Sequence, residues 1–145
     1  REARRIPCRR VWQAMILVDT SAFYALLDGG DAYHARAAER WGRELTGEGS
    51  LVTTNYVVLE SMTLLQARLG MAAVRAFHDA VLPFVHVEWI DEDAHFRSTS
   101  AFIAIERRGL SLVDFSTFET MRRLGIRSAF TFDKHFRQYG FETLP

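Results

Sequence analysis

The stretch MILVDTSAFYALLD, residues 15–28, decides the fold. Met15-Ile16-Leu17-Val18 is a short, unbroken apolar run, which reads as a strand covered on both faces; a strand with one wet face would alternate. The run stops on a carboxylate, Asp19. Two hydroxyls follow, Thr20 and Ser21, and then an apolar pattern with helical spacing that lasts to about Leu27. A buried strand feeding a helix through a polar junction is the start of an α/β domain with a mostly parallel sheet.

The same grammar continues along the chain. LDGGD, Leu27 to Asp31, breaks the first helix with two glycines. AYHARAAERWGREL is a second helix, with Ala35, Ala38, Trp41 and Leu45 expected near one face. Ser50 to Thr53 is a strand, and Thr54 or Asn55 caps the helix YVVLESMTLLQARLG, which stops at Gly70. A further helix covers roughly 72–82. FVHVEW alternates Val85, Val87 and Trp89 with His86 and Glu88, a strand with one wetter face. DEDAHFRSTSAFIAIERRG reads as a helix with an acidic first turn and a basic last turn, closed by Gly109. Leu110 to Val113 is a short apolar segment ending on Asp114, followed by a helix to Gly125. Ser128 to Phe132 is another strand and ends near Asp133. FETL supplies a last edge strand.

Composition bounds the rest. The chain has 145 residues, 48% hydrophobic and 25% charged, which suits one soluble domain with its own core. Cys8 is the single cysteine, so neither an internal disulfide nor a Cys-rich metal site is possible. No apolar run approaches a membrane span and no apolar leader is present, so the expected location is cytoplasmic, with no membrane partner. The net charge of zero conceals an asymmetry: residues 1–14 hold five Arg and one Glu, whereas residues 15–145 hold 13 Lys and Arg against 17 Asp and Glu. The first fourteen residues are set aside as a basic N-terminal extension outside the fold. An RNA-binding arm is the other reading of them. The domain is expected to span residues 15–145.

Three apolar segments end on an aspartate: Asp19 after MILV, Asp114 after LSLV, Asp133 after AFTF. In parallel α/β sheets the ligand crevice lies outside the carboxyl ends of the strands, where three such aspartates converge. Glu60 joins them from within YVVLESMTLL, among apolar neighbours where a lone charge is costly. Singly, each Asp reads as a helix cap and Glu60 as an edge residue paired with an arginine. Together they repel, with only Lys134 adjacent in sequence to compensate. A hard divalent cation relieves that repulsion, since Mg²⁺ and Mn²⁺ take oxygen ligands together with substrate phosphates. That points to metal-assisted phosphodiester hydrolysis.

The set resembles the PIN-domain ribonucleases, in particular VapC-like toxins of bacterial toxin–antitoxin pairs. The matching pieces are VDTSAFYALLD, TTNYVVLE, LSLVDFS and FTFDKHF followed by YGF, in order over residues 15–145. The resemblance implies a three-layer α/β domain with a central parallel sheet. It implies an Mg²⁺- or Mn²⁺-dependent endoribonuclease that uses metal-activated water and leaves a 5′-phosphate and a 3′-hydroxyl. It implies a small antitoxin partner and a homodimer. Asp19, Glu60, Asp114 and Asp133 carry over as the metal-binding quartet, with Asp19 and Asp114 the most direct ligands. Ser21, Thr131 and Ser116 are supporting hydroxyls, and capping is the competing reading for them and for Thr20. One departure from the family pattern is Phe115, where a small residue is usual; it is either a packing variant or a narrowing of the pocket rim.

Other features compete for attention. His34, His78, His86, His95 and His135 lack the H-x-x-x-H spacing of a helical zinc site, although His34 and His135 sit in family-like contexts. Arg36, Arg40, Arg68, Arg122, Arg123, Lys134 and Arg137 are candidate phosphate contacts, and Lys134, beside Asp133, is the one to test. Phe23, Tyr24, Trp41, Tyr56 and Phe77 divide between core and a dimer or antitoxin surface. No P-loop, dinucleotide fingerprint or nucleophile elbow is present. A phosphoacceptor receiver domain also gathers acids at strand ends, but here the middle strand LVTT ends without one. A catalytically silent PIN-like module and a housekeeping RNA-processing nuclease of the same fold are the remaining alternatives.

Overall fold

The computed structural model describes residues 15–145; the expectation that residues 1–14 stand outside the fold concerns residues outside those described. Five strands form one sheet in the order β3-β2-β1-β4-β5, every neighbouring pair parallel. They are β1 (Met15–Val18), β2 (Ser50–Thr54), β3 (Val85–Glu88), β4 (Ser128–Phe130) and β5 (Glu142–Thr143). The expected strands form, including the C-terminal edge strand, but β4 stops at Phe130, two residues short of the expected Phe132. β1 lies in the middle, with Leu17 opposite Val52 on one side and Ala129 on the other.

The period-two alternation of strands sorts the core into two layers. Leu17, Val52 and Ala129 pack with Phe118, Met121 and Phe136 on one face. Val18, Leu51 and Phe130 pack with Phe23, Val57, Leu65 and Phe77 on the other. The first layer is covered by α5 (Glu92–Ile105), α6 (Leu112–Leu124) and α7 (His135–Gln138). The second is covered by α1 (Thr20–Leu27), α2 (His34–Thr46), α3 (Asn55–Leu69) and α4 (Met71–Ala76), the last continuing through a wide turn at Phe77–Val81 and a tight one at Leu82–Phe84. This is the three-layer α/β arrangement expected. Among the described residues, no helix is long and apolar enough to cross a membrane.

Four local readings need correction. Leu112–Val113 is not strand: Ser111 caps α6, its side chain accepting from the Asp114 amide at 3.2 Å, while the Asp114 carboxylate accepts from the Ser111 amide at 2.7 Å. That reciprocal capping box satisfies two otherwise orphaned donors and starts a helix where apolar spacing alone suggested a strand. In α2 the face toward the core is Ala37 with the half-buried His34, Trp41 and Glu44, whereas Ala35, Ala38 and Leu45 are exposed. α5 ends at Ile105 with Glu106 in the left-handed region (φ 48°), so Arg107, Arg108 and Gly109 belong to the following loop. Trp89 lies past the end of β3 and is 72% exposed.

The segments that lead to the strand ends are pinned by side chains. Thr54 caps α3, accepting from the Val57 amide at 3.1 Å. The Asn55 side chain accepts from the Ile90 amide at 2.7 Å and ties the exit of β3 to the start of α3. Thr53 donates to the Val18 carbonyl at 2.9 Å, bracing β2 against β1 at the level where Asp19 begins.

Candidate active site

Asp19 is the first residue after β1, and its amide extends the β1–β4 ladder by donating to the Phe130 carbonyl at 3.1 Å. It is also the N-cap of α1, with its side chain accepting from the Ser21 amide at 3.4 Å. Capping and site therefore coincide in this residue. The side chain is only 6% exposed. One of its oxygens accepts from Ser21 Oγ at 3.0 Å and from Thr131 Oγ1 at 3.1 Å. The two hydroxyls lie 3.1 Å apart. Ser21 Oγ also accepts from the Phe132 amide at 2.9 Å, and Thr131 Oγ1 from the Asp133 amide at 3.0 Å. A single polar network thus joins the start of α1 to the loop after β4 and fixes Asp133 relative to Asp19.

Asp133 lies three residues beyond β4 and faces His135. Its Oδ1 accepts from the His135 amide at 2.9 Å and from His135 Nδ1 at 2.7 Å. Asp114 lies in the first turn of α6, and Glu60 in the second turn of α3, two helices packed on each other. Both carboxylates are partly buried.

The electrostatics bind the four into one cluster. Burial pushes the Asp19 carboxyl up to about 6, and the Asp114 charge adds to the rise, against the lowering effect of the Ser21, Thr20 and Thr131 donors. Glu60 is raised by burial and then by Asp114, with Thr20 pulling the other way. Asp114 is raised by burial and by Asp133, opposed by its Ser111 hydrogen bonds and by His135. Asp114 therefore couples to each of the other three. Among the described residues, none of Asp19, Glu60 or Asp114 has a salt-bridge partner; the cluster's one ion pair is Asp133 with His135.

The donor set fits a hard divalent cation. It is all oxygen, it carries excess negative charge, and Asp19, Glu60 and Asp114 are each raised, first by burial and then by a neighbouring acid. The Thr20 hydroxyl, buried beside Glu60, has no partner in full hydrogen-bond geometry. No three acidic or histidine side chains among the described residues are close enough together to enclose one ion by themselves.

The supporting residues divide. Ser21 and Thr131 are at the centre of the network. Ser116 instead donates to the Val113 carbonyl at 2.7 Å and stays within its helix, the capping-type role foreseen as its alternative. Phe115 is buried in the core layer against Phe102, Phe118 and Tyr139, a packing residue that does not narrow the rim. His135 is a functional candidate that the sequence set aside with the other histidines; its place two residues after Asp133 was the available signal. His34 is occupied by the Ala25 carbonyl at 2.8 Å.

The sequence model of the PIN domain matches residues 16–142. The 23S rRNA-specific endonuclease VapC20 of Mycobacterium tuberculosis is 36% identical over 128 residues, which are 88% of this chain and 95% of that protein. The crystal structure of VapC20, a sarcin–ricin loop cleaving toxin, superposes with a TM-score of 0.78 at 34% identity, covering 87% of this chain and 95% of that one. FitAcB from Neisseria gonorrhoeae superposes with a TM-score of 0.63 at 14% identity, over 90% of this chain and 97% of that one, a likeness of fold alone.

Proposed function

The chain belongs to the PIN-domain family, and from that premise we propose that it is a divalent-cation-dependent endoribonuclease and the toxin of a toxin–antitoxin pair. The observation that carries the reading is the cluster of Asp19, Glu60 and Asp114, all raised and coupled through Asp114, with no salt-bridge partner among the described residues. Asp19 and Asp114 are the most direct ligands for Mg²⁺ or Mn²⁺, and Glu60 and Asp133 complete the quartet. When bound, such an ion lowers the pKa of water and offsets charge on the phosphate. The protein's own part is to aim the carboxylates. Ser21 and Thr131 hold one Asp19 oxygen and leave the other without a side-chain donor among the described residues, and His135 orients Asp133. Water adds to phosphorus, the bond to the 3′ oxygen breaks, and the products are a 5′-phosphate and a 3′-hydroxyl.

The identity to a 23S rRNA-specific endonuclease makes 23S rRNA the first substrate to test. An antitoxin and a second copy of the chain are the partners of this reading. Supporting it, an apolar cavity of about 710 Å³ opens beside Glu60 between α3, α5 and the start of α6, walled by Tyr56, Leu59, Leu64, Leu112 and Val113. Leu59 is 67% exposed there. The test is cleavage of 23S rRNA by antitoxin-free protein in Mg²⁺ or Mn²⁺ against EDTA, with Asp19→Asn as the control. Metal-dependent cutting that vanishes in the variant supports the reading; cutting retained by Asp19→Asn, or absent with every RNA, overturns it.

A further inference from the structure

Four carboxylates repel the polyanion they are meant to cut, in a domain that is itself acidic, so the strand needs a cationic hold close by. Four of the nine helix-borne arginines of the described residues are spent on an acid: Arg40 on Glu44, Arg43 on Glu39, Arg97 on Glu119, Arg123 on Glu88. Arg36, Lys134 and Arg137 form no ion pair among the described residues, and they line one cavity of about 250 Å³. Thr131 and Asp133 belong to the same cavity wall. Thr131 is the residue that donates to Asp19 at 3.1 Å, so the cavity adjoins the carboxylate cluster directly.

The wall between them is aromatic. Tyr33 and Phe132 stack with centres 4.5 Å apart and planes 10° from parallel. Both backbones are fixed: the Tyr33 amide donates to Asp31 Oδ1 at 2.8 Å, and the Phe132 amide to Ser21 Oγ at 2.9 Å. The Arg36 guanidinium lies 5.9 Å from each ring centre, hence beside the pair and not layered on the outer face of Tyr33. Tyr33 remains 45% exposed although Phe132 covers one face. An open ring face, pre-positioned beside three cations, is the combination that binds single-stranded nucleic acid: cations track the phosphates and a ring takes the base.

Resting on the ribonuclease reading, we propose that this pocket is the subsite for the RNA strand next to the scissile bond. A flanking phosphate lies among Arg36, Lys134 and Arg137, and an unpaired base stacks on Tyr33. An acidic protein segment would use the cations but gain nothing from the open ring, and that difference separates the two occupants.

The experiment measures binding by fluorescence anisotropy in the full chain carrying Asp19→Asn, so that the probe is not cut. The probes are a labelled single-stranded ten-nucleotide RNA of mixed sequence, an abasic ribose-phosphate oligomer of the same length, and a deca-glutamate peptide. Tyr33→Leu is expected to weaken the RNA by about 5- to 100-fold, the range of one lost base stack. Tyr33→Phe restores it, and neither change affects the abasic oligomer. The double variant Arg36→Gln, Arg137→Gln weakens both oligomers and lowers the slope of log affinity against log salt by about 1.4 for two phosphate contacts. Unchanged RNA affinity in Tyr33→Leu, equal loss on the abasic oligomer, or an unchanged salt slope overturns the proposal. So does loss confined to the glutamate peptide, which makes the pocket a protein site. Failure of the ribonuclease reading shows separately, as absence of metal-dependent cleavage by the protein with Asp19 intact, whatever the binding data give.

Discussion

Two carboxylates of the pocket are carried by strand ends and two by helices, and the protein treats the pairs differently. Asp19 and Asp133 are joined through Ser21 and Thr131, so that one hydroxyl from near the C-terminal end of the domain positions Asp19 and also accepts from the Asp133 amide. Asp114 is held within its own helix by Ser111, and Glu60 has only the Thr20 hydroxyl close by. The strand pair is located by a shared network and Asp114 by its capping box; Glu60 is located by how α3 and α6 pack. A network fixes an atom to within a hydrogen bond. Packing fixes a helix and leaves its side chain a choice of rotamer. The site therefore combines anchored carboxylates with one adjustable carboxylate, Glu60, which suits a cation that must accept both protein and substrate oxygens.

The strongest test of that division is Asp19→Asn. It should lower kcat/KM for RNA by about 10³-fold, the upper range for removing one electrostatic contributor. It should also stabilise the metal-free protein near neutral pH. The sign follows from the raised value: with a folded carboxyl at about 6 and an ordinary value of 3.8, the stabilising contribution is full below the ordinary value and fades as pH rises through 6. The difference in unfolding free energy between the parent chain and its Asp19→Asn variant should therefore shift by up to about 3 kcal/mol from pH 3.5 to 7.5 in EDTA. A flat difference would remove burial as the cause.

Next in size is Asp114→Asn. Activity should fall by about 10²- to 10³-fold, while the melting temperature changes little, because an asparagine oxygen still accepts from the Ser111 amide. A large loss of stability would show that the capping box outweighs the site at this position. Thr131→Val breaks the network and leaves all four carboxylates in place. It should cost about 10- to 100-fold in activity, as for a residue that orients a ligand, and about 1 to 3 kcal/mol in urea unfolding. Equal activity would mean that Asp19 needs no help from the loop after β4. Glu60→Gln should have a smaller effect, with activity reduced by about tenfold or less and a higher melting temperature in EDTA at pH 7; an effect as large as that of Asp19→Asn would erase the distinction between the anchored carboxylates and the adjustable one. Smallest of all, removal of residues 1–14 should change neither cleavage nor stability, and an inactive truncation would assign those arginines to the substrate.

What the sequence made legible follows the same division. Asp19 and Asp133 were readable because a buried apolar run that ends on a charge is a rare pattern, and the parallel topology sends such ends to one crevice. Asp114 was found for the wrong local reason. Four residues of apolar spacing cannot distinguish a strand from the first turn of a helix, and the decisive signal was Ser111 three residues ahead of Asp114, an S-x-x-D cap. In α2 the helix was legible but not its buried face: His34 and Glu44 turn inward where Ala35 and Leu45 looked the better candidates, because the carbonyl of Ala25 and the side chain of Arg40 give those polar groups partners. Arg36 and Arg137 were visible as cations, but nothing local tells that residues a hundred positions apart share one cavity with a stacked aromatic pair.

The long reach of the Thr131–Asp19 hydrogen bond, 112 residues, has a temporal meaning. During synthesis the central strand β1 emerges first and must wait for β4 before its second edge is covered. At about 5 to 20 residues per second, that interval is roughly 6 to 20 s. Throughout it Asp19 has neither its anchoring hydroxyl from Thr131 nor Asp133 beside it. A chain interrupted before Thr131 lacks both the anchoring hydroxyl and Asp133. For a nuclease born on a ribosome and proposed to cut ribosomal RNA, late assembly delays competence until Thr131 and Asp133 have emerged.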